Sequence, residues 1–263
     1  MTSLEVLFTP AEFGALRQRD LREGVCVVFD VLRATSSMVT ALANGAEAIM
    51  PVEEVAEALA ARQRKPKVLL AGERDGLRIP AALTGSIDFD LGNSPREFAP
   101  QIVRGKTIVI TTTNGTRALR ACTSARRVLA ASFLNLTATS KFIENLGPSE
   151  LLLVCSGTLE QAAYEDVLGA GALVDMLWGN YPKDAISDSA YMAVRLFRLE
   201  QDNLVSAVAS SRNARRLLNR AELHDDVAFC SQRDRFPLVA ELGRDGLVRK
   251  QANFPTRGRE NVL

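Results

Sequence analysis

The sequence predicts an α/β fold: a largely parallel sheet covered on both faces by helices, with a helix-rich C-terminal third. Three observations carry that prediction. Over the first two-thirds, short apolar or β-branched runs alternate with segments of helical periodicity. Several of the runs end abruptly in small, polar or charged loops that lead into helices. After Trp178 the alternation stops and helical patterning takes over.

Strands are expected over 4–8, 25–30, 48–52, 67–71, 107–111, 127–131 and 150–155. Helices are expected over 36–44, 55–64, 95–99, 116–122, 136–145 and 164–178. Gly45 after Asn44 is a stop signal for the first of these. Ser94-Pro95-Arg96-Glu97 reads as a capping box with proline at the first helical position. Gly169-Ala170-Gly171 falls inside a helical pattern, where small residues permit close packing. Residues 187–219 read as helix-rich with a break at Ser210-Ser211, followed by short strands such as 247–250 and a polar end expected to fray. No fixed repeat or linker interrupts the chain, so residues 1–263 are expected to form one compact unit, or two closely packed lobes.

Composition excludes several classes. A net charge of +1 with interspersed signs leaves no electrostatic footprint for nucleic acid. The one basic cluster, Arg212, Arg215, Arg216 and Arg220, reads as a solvated helix face. No run approaches a membrane span and the N-terminus carries no signal pattern, so a cytoplasmic protein without membrane partners is expected. Cys26, Cys122, Cys155 and Cys230 are too scattered for a zinc knuckle or disulfide framework. His224, the single histidine, lies in a polar run that reads as a surface turn, and one imidazole cannot supply a histidine-rich metal centre. There is no P-loop, no cysteine with an arginine six positions on, no strand before Asp88-Phe89-Asp90, and no complete dinucleotide fingerprint.

The segment TIVITTTNGT, residues 107–116, is the most informative. An apolar strand hands over to Thr111, Thr112, Thr113, Asn114, Gly115 and Thr116 and then to a helix. Such a turn can hold an anion through backbone N–H groups at the positive end of the helix, although alone it is equally a good cap. The pattern recurs after three other strands, at DVLRATSS (with Thr35), GERDGLRIP and CSGT. Ligands of open α/β sheets lie beyond the carboxyl ends of the strands, so four such ends predict one composite site for a small anion.

Asp30, directly after an apolar run, is read either as a metal ligand or nucleophile, or as a local cap or a partner of Arg33. Glu73-Arg74-Asp75 suits a metal or an ion-pair network, and Glu165-Asp166 suits a metal or the start of a helix. The Cys155-Ser156-Gly157 loop is read as an anion cradle rather than a thiol nucleophile.

DVLRATSSMVTALANGA, AGERDGLRIP, FDLGNSPREF, TTTNGTRAL, CSGT and EDVLGAGALV, in this order and spacing, closely resemble the 2-phosphosulfolactate phosphatase family. The resemblance implies a three-layer α/β/α fold and a cytoplasmic, Mg²⁺-dependent phosphatase acting on a small phosphorylated hydroxy acid that bears a sulfonate. It implies Asp30, Arg33, Glu73 and Arg74 as the catalytic set. Asp30 with one of Glu73, Glu165 or Asp166 would hold the metal. Substrate would be held by Thr35, by Asn93 and Ser94 of the GNSP turn, by residues 112–116, and by Cys155, Ser156 and Gly157. The C-terminal third departs from the family: Asn213-Ala214 stands where a His-Gly pair is common before two arginines. Two other readings stay open here, phosphatase chemistry on a different ester and a non-catalytic anion-binding or regulatory protein. A homodimer is the base-rate expectation.

Overall fold

The structure is a computed structural model and describes residues 3–251. Its strands are β1 (Ser3–Leu7), β2 (Gly24–Phe29), β3 (Ala48–Val52), β4 (Leu69–Arg74), β5 (Leu77–Arg78), β6 (Thr107–Thr111), β7 (Arg127–Ala131), β8 (Glu150–Cys155), β9 (Ala240–Leu242) and β10 (Val248–Lys250). They form one sheet in the order β1-β8-β2-β7-β9-β10-β3-β6-β4-β5. Two parallel blocks, β1-β8-β2-β7 and β3-β6-β4, are joined by the antiparallel β9–β10 hairpin. Three antiparallel steps separate β7 from β3, so the two blocks run in opposite senses.

The helices are α1 (Phe13–Leu16), α2 (Ala34–Ala43), α3 (Val55–Arg64), α4 (Ala81–Thr84), α5 (Pro100–Val103), α6 (Gly115–Ala121), α7 (Leu136–Leu146), α8 (Tyr164–Leu177), α9 (Asp188–Glu200), α10 (Leu204–Ala209), α11 (Arg212–Leu218) and α12 (His224–Cys230). Strand periodicity assigns the layers. Val25, Val27 and Phe29 of β2 join Leu151 and Leu153 of β8 in a core shared with α7 to α12. Cys26 and Val28 point the other way, into a core with Met38, Val39 and Leu119 of α2 and α6. Val109 and Leu70 complete a smaller core under α3. The three-layer α/β/α arrangement follows directly: a sheet apolar on both faces needs a helix layer on each. Gly171 of α8 lies against the Ala193 carbonyl of α9, where a Cβ would not fit, as expected of small residues within a packed helix.

Where the structure departs from the sequence reading, local chemistry explains it. The expected helix over 95–99 is a short 3₁₀ turn, Pro95–Glu97; Ala99 is extended because Pro100 follows it, and α5 begins only at that proline. The capping box does not form. Ser94 Oγ donates to Asp226, and Glu97 instead accepts the Gly92 N–H. Strand β4 runs on to Arg74 and turns back through Asp75-Gly76 into β5. Both turn residues have positive φ, the conformation that an Asp-Gly hairpin turn requires and a signal already present in the sequence. His224 is exposed as expected but opens α12 rather than lying in a turn. The polar end expected to fray lies outside the described residues. Among those described, no helix is long and apolar enough to cross a membrane.

Candidate active site

A cavity of about 510 Å³ is lined by Asp30 after β2, Glu73 of β4, Asp75-Gly76, Asn93, Thr112, Thr113 and Asn114 after β6, Thr158-Leu159 after β8, and one face of α11. Its floor is set by two helices that start side by side. Asp30 Oδ1 accepts the N–H of Ala34, first residue of α2, at 3.1 Å. Gly115, first residue of α6, leaves just enough room: a Cβ there would stand 2.5 Å from Asp30 Oδ2 and 2.6 Å from the Ala34 methyl. Gly115→Ala is therefore expected to displace Asp30 and, at a cost typical of ångström-scale misplacement, to lower kcat by about 100-fold with the fold retained. Steady-state kinetics beside a thermal melt checks this.

Burial, reinforced by the carboxylates of Glu73 and Glu165 and opposed by the Ala34 N–H, pushes the Asp30 carboxyl up to about 7. Burial likewise raises Glu165 against the hydrogen bond from Asn213, and raises Asp166 with help from Glu165 and Asp30. The guanidinium nearest in sequence does not neutralise Asp30. Arg33 is 3% exposed and gives Nη1 to Asp226 at 2.8 Å and Nη2 to the Gly76 carbonyl at 2.7 Å. Asp226 also accepts from Ser94 Oγ and Arg96 Nε, so α12 clamps the GNSP turn and Arg33 into one wall.

Several candidates face elsewhere. Arg74 spends its guanidinium on the carbonyls of Glu73 and Glu53 and on Thr111 Oγ1, away from the cavity. Glu73 reaches the cavity but also fixes its rim, accepting from Gly76 N–H, Thr113 N–H and Thr113 Oγ1. Thr35 caps the Asp30 backbone, and Thr116 of α6 bonds back to Thr112 in the turn before it. Asp166 is a tie: it accepts from Val31 N–H, Ser156 Oγ and Gly157 N–H, which leaves that loop no free cradle. Cys155 is buried in the core, where desolvation pushes its thiol well above the usual range and disfavours the thiolate. Among the sequence candidates, Asp30, Arg33, Glu73, Asn93, Thr112, Thr113 and Asn114 meet at the cavity.

The sequence reading expected helix here but missed that α11 lines the cavity. Asn213, Arg216 and Arg220, expected on or beside a solvated helix face, line the cavity. Asn213 Nδ2 donates to Glu165 Oε1 at 2.6 Å and Thr158 Oγ1 at 2.8 Å, and Arg212 holds the loop after β8 through Gln161 and the Thr158 carbonyl. The i, i+3, i+7 spacing of 213, 216 and 220 was the available signal, but spacing alone cannot say what a face meets.

Residues 13–245 match the sequence model described as 2-phosphosulpholactate phosphatase. The chain belongs to the 2-phosphosulfolactate phosphatase family. Relatives include a probable 2-phosphosulfolactate phosphatase of Caldanaerobacter subterraneus subsp. tengcongensis, 36% identical over 94% of this chain and 99% of the relative. One so described from Thermotoga petrophila is 39% identical over 87% and 92%, and one from Pseudothermotoga lettingae is 37% identical over 94% and 99%. The match to the family model takes in every cavity residue named above, including those of α11.

A family of phosphatases raises the question of a metal, which the oxygens of the site can answer. Among the described residues no three His, Cys, Asp or Glu side chains form a metal-binding group, so Asp30, Glu73, Glu165 and Asp166 do not make one cage. The cavity presents the carboxylates of Asp30 and Glu73 and the amide oxygen of Asn93, a buried acceptor without a donor among the described residues. Two carboxylates and an amide, completed by water and phosphate oxygens, suit Mg²⁺, which rarely uses an all-protein cage.

Proposed function

We propose that this chain is a Mg²⁺-dependent phosphatase that hydrolyses 2-phosphosulfolactate, or a similar small phosphorylated hydroxy acid, to the hydroxy acid and phosphate. The observation that carries the reading is convergence. In a member of this family, the ends of β2, β4 and β6 bring Asp30, Glu73 and the Thr112–Asn114 turn to one polar cavity, while Arg33, which could neutralise the acids, is committed to Asp226. Asp30 and Glu73, with Asn93, would hold Mg²⁺, which supplies charge neutralisation at the phosphoryl oxygens when bound.

The protein's own groups do the positioning. Asn114, just before α6, lines the cavity with a side-chain amide that has no hydrogen-bond partner among the described residues, and the Gly115 N–H at the first helical position has no helical acceptor. They seat the phosphoryl group against Asp30. Glu73 holds the Thr113 backbone and hydroxyl so that the turn keeps its shape as charge develops. The buried Arg33–Asp226 pair keeps the opposite wall rigid.

Phosphate release with EDTA and with metal add-back tests this. EDTA is expected to lower turnover by roughly 100-fold or more, with Mg²⁺ restoring it. Full turnover in EDTA would contradict the metal assignment while leaving the phosphatase assignment standing.

A further inference from the structure

We infer that Arg216 and Arg220 form a second subsite, for the non-reacting oxyanion of the substrate, a carboxylate or sulfonate on the carbon chain beyond the phosphate; this rests on the phosphatase reading above. Both residues line the cavity, and neither guanidinium has a hydrogen bond or ion pair with any described residue. Of the acids close by in sequence, Asp225 pairs with Arg96 and Asp226 with Arg33 and Arg96. The other arginines near the cavity are committed as well. Arg33 holds Asp226 and Gly76, Arg74 faces backbone and Thr111, and Arg212 holds the loop after β8.

Charge shows why two free cations belong there. The cavity wall carries three acids, Asp30, Glu73 and Asp75. A phosphorylated hydroxy acid brings about two negative charges on its phosphate and one more on each carboxylate or sulfonate. A divalent cation held at the acids would offset only part of that charge and would leave the far end of the substrate unmatched. Guanidinium groups present planar forks that fit carboxylate and sulfonate oxygens, and they stay charged at any working pH.

The placement is firm. Ala214 and Leu217 are buried and anchor α11, Ser211 caps it through the Ala214 N–H, and the Arg220 N–H closes on the Leu217 carbonyl. Asn213 and Arg216 of α11 and Arg220, in the turn that follows it, all line the cavity, and Asn213 is bonded to Glu165. One helix and the turn after it thus link Glu165, through Asn213, to the two arginines.

The test is the double variant Arg216→Gln/Arg220→Gln, with Arg→Lys at both positions as the conservative control. Values of kcat/KM are measured for 2-phosphosulfolactate, for 2-phospholactate, which lacks the sulfonate, and for phenyl phosphate, which has no second anion. Binding of sulfolactate, which lacks the phosphate, is measured by calorimetry. The expected result is a fall of roughly 100-fold in the preference for 2-phosphosulfolactate over phenyl phosphate, carried by KM, with sulfolactate binding weakened at least about 10-fold and partly rescued by lysine. A preference for 2-phospholactate that falls in parallel assigns the carboxylate to this pair; one that holds assigns the sulfonate. An unchanged preference, or equal losses on all three esters, overturns the inference. A wild-type protein that binds sulfolactate through these arginines but turns over no ester supports the subsite and refutes the phosphatase reading instead.

Discussion

Asp30→Asn is expected to remove phosphate release, by roughly 10²–10⁴-fold, while making the metal-free protein more stable at alkaline pH. The two effects share a cause. Burial beside Glu73 and Glu165 raises the Asp30 carboxyl from its ordinary value of 3.8 to about 7 in the folded protein. Below about pH 4 both folded and unfolded chains hold the proton, and the residue is neutral to stability. Between about 4 and 7 only the folded chain holds it. Folding then takes up a proton, and stability falls as pH rises. Above about 7 the loss is complete, up to roughly 4 kcal/mol for a shift of this size and less once the site relaxes. Asparagine keeps the shape and an oxygen for the Ala34 N–H, without the charge. Denaturant unfolding in EDTA should show a gain of about 2–4 kcal/mol for Asp30→Asn at pH 8 and little at pH 4. Equal stability of variant and wild type at both values would show that Asp30 is not buried as described.

Asp226→Ala should be the most damaging single change to the fold at this site. Asp226 is fully buried and accepts from Arg33, Arg96 and Ser94. Removing it strands the Arg33 guanidinium, 3% exposed, without its counter-charge. Breaking a buried pair from one side costs roughly 3–5 kcal/mol, because the remaining ion still bears its desolvation. The consequence reaches function as well. Arg33 lines the cavity beside Asp30, and Ser94 fixes the turn that carries Asn93, so the surviving folded protein should also lose turnover. The double change Asp226→Leu with Arg33→Met should recover much of the stability and none of the activity. Thermal melts and kinetics on the three variants separate the structural share from the catalytic one. A melting temperature unchanged in Asp226→Ala would contradict the clamp.

These two residues also mark where sequence reading succeeds and where it stops. The strands at 48–52, 107–111, 127–131 and 150–155 were readable residue for residue, because alternating apolar runs and polar loops report burial directly. Asp30 stood out for the same reason, a charge at the end of a buried strand. Asp226 did not, since one acid in a polar run looks like any other until α12 is packed against the GNSP turn more than a hundred residues earlier. Arg74 and Arg216 meet the same limit. Arg74, in the catalytic set implied by the resemblance, does not line the cavity, while Arg216, read as part of a solvated helix face, is exposed and lines it as well. The direction of each long side chain is decided by tertiary neighbours: Thr111 and two carbonyls capture Arg74, and no described acid captures Arg216. Glu165 and Asp166, adjacent in sequence, show the same limit, with Asp166 saturated by donors from two loops and Glu165 keeping an oxygen without a donor among the described residues.

The most direct measurement is the initial rate of phosphate release from 2-phosphosulfolactate with Mg²⁺, set beside a panel of small phosphomonoesters of different charge. The account predicts Mg²⁺-dependent turnover in which 2-phosphosulfolactate exceeds the singly anionic esters by about 10-fold or more in kcat/KM. A folded protein that releases no phosphate from 2-phosphosulfolactate would contradict it.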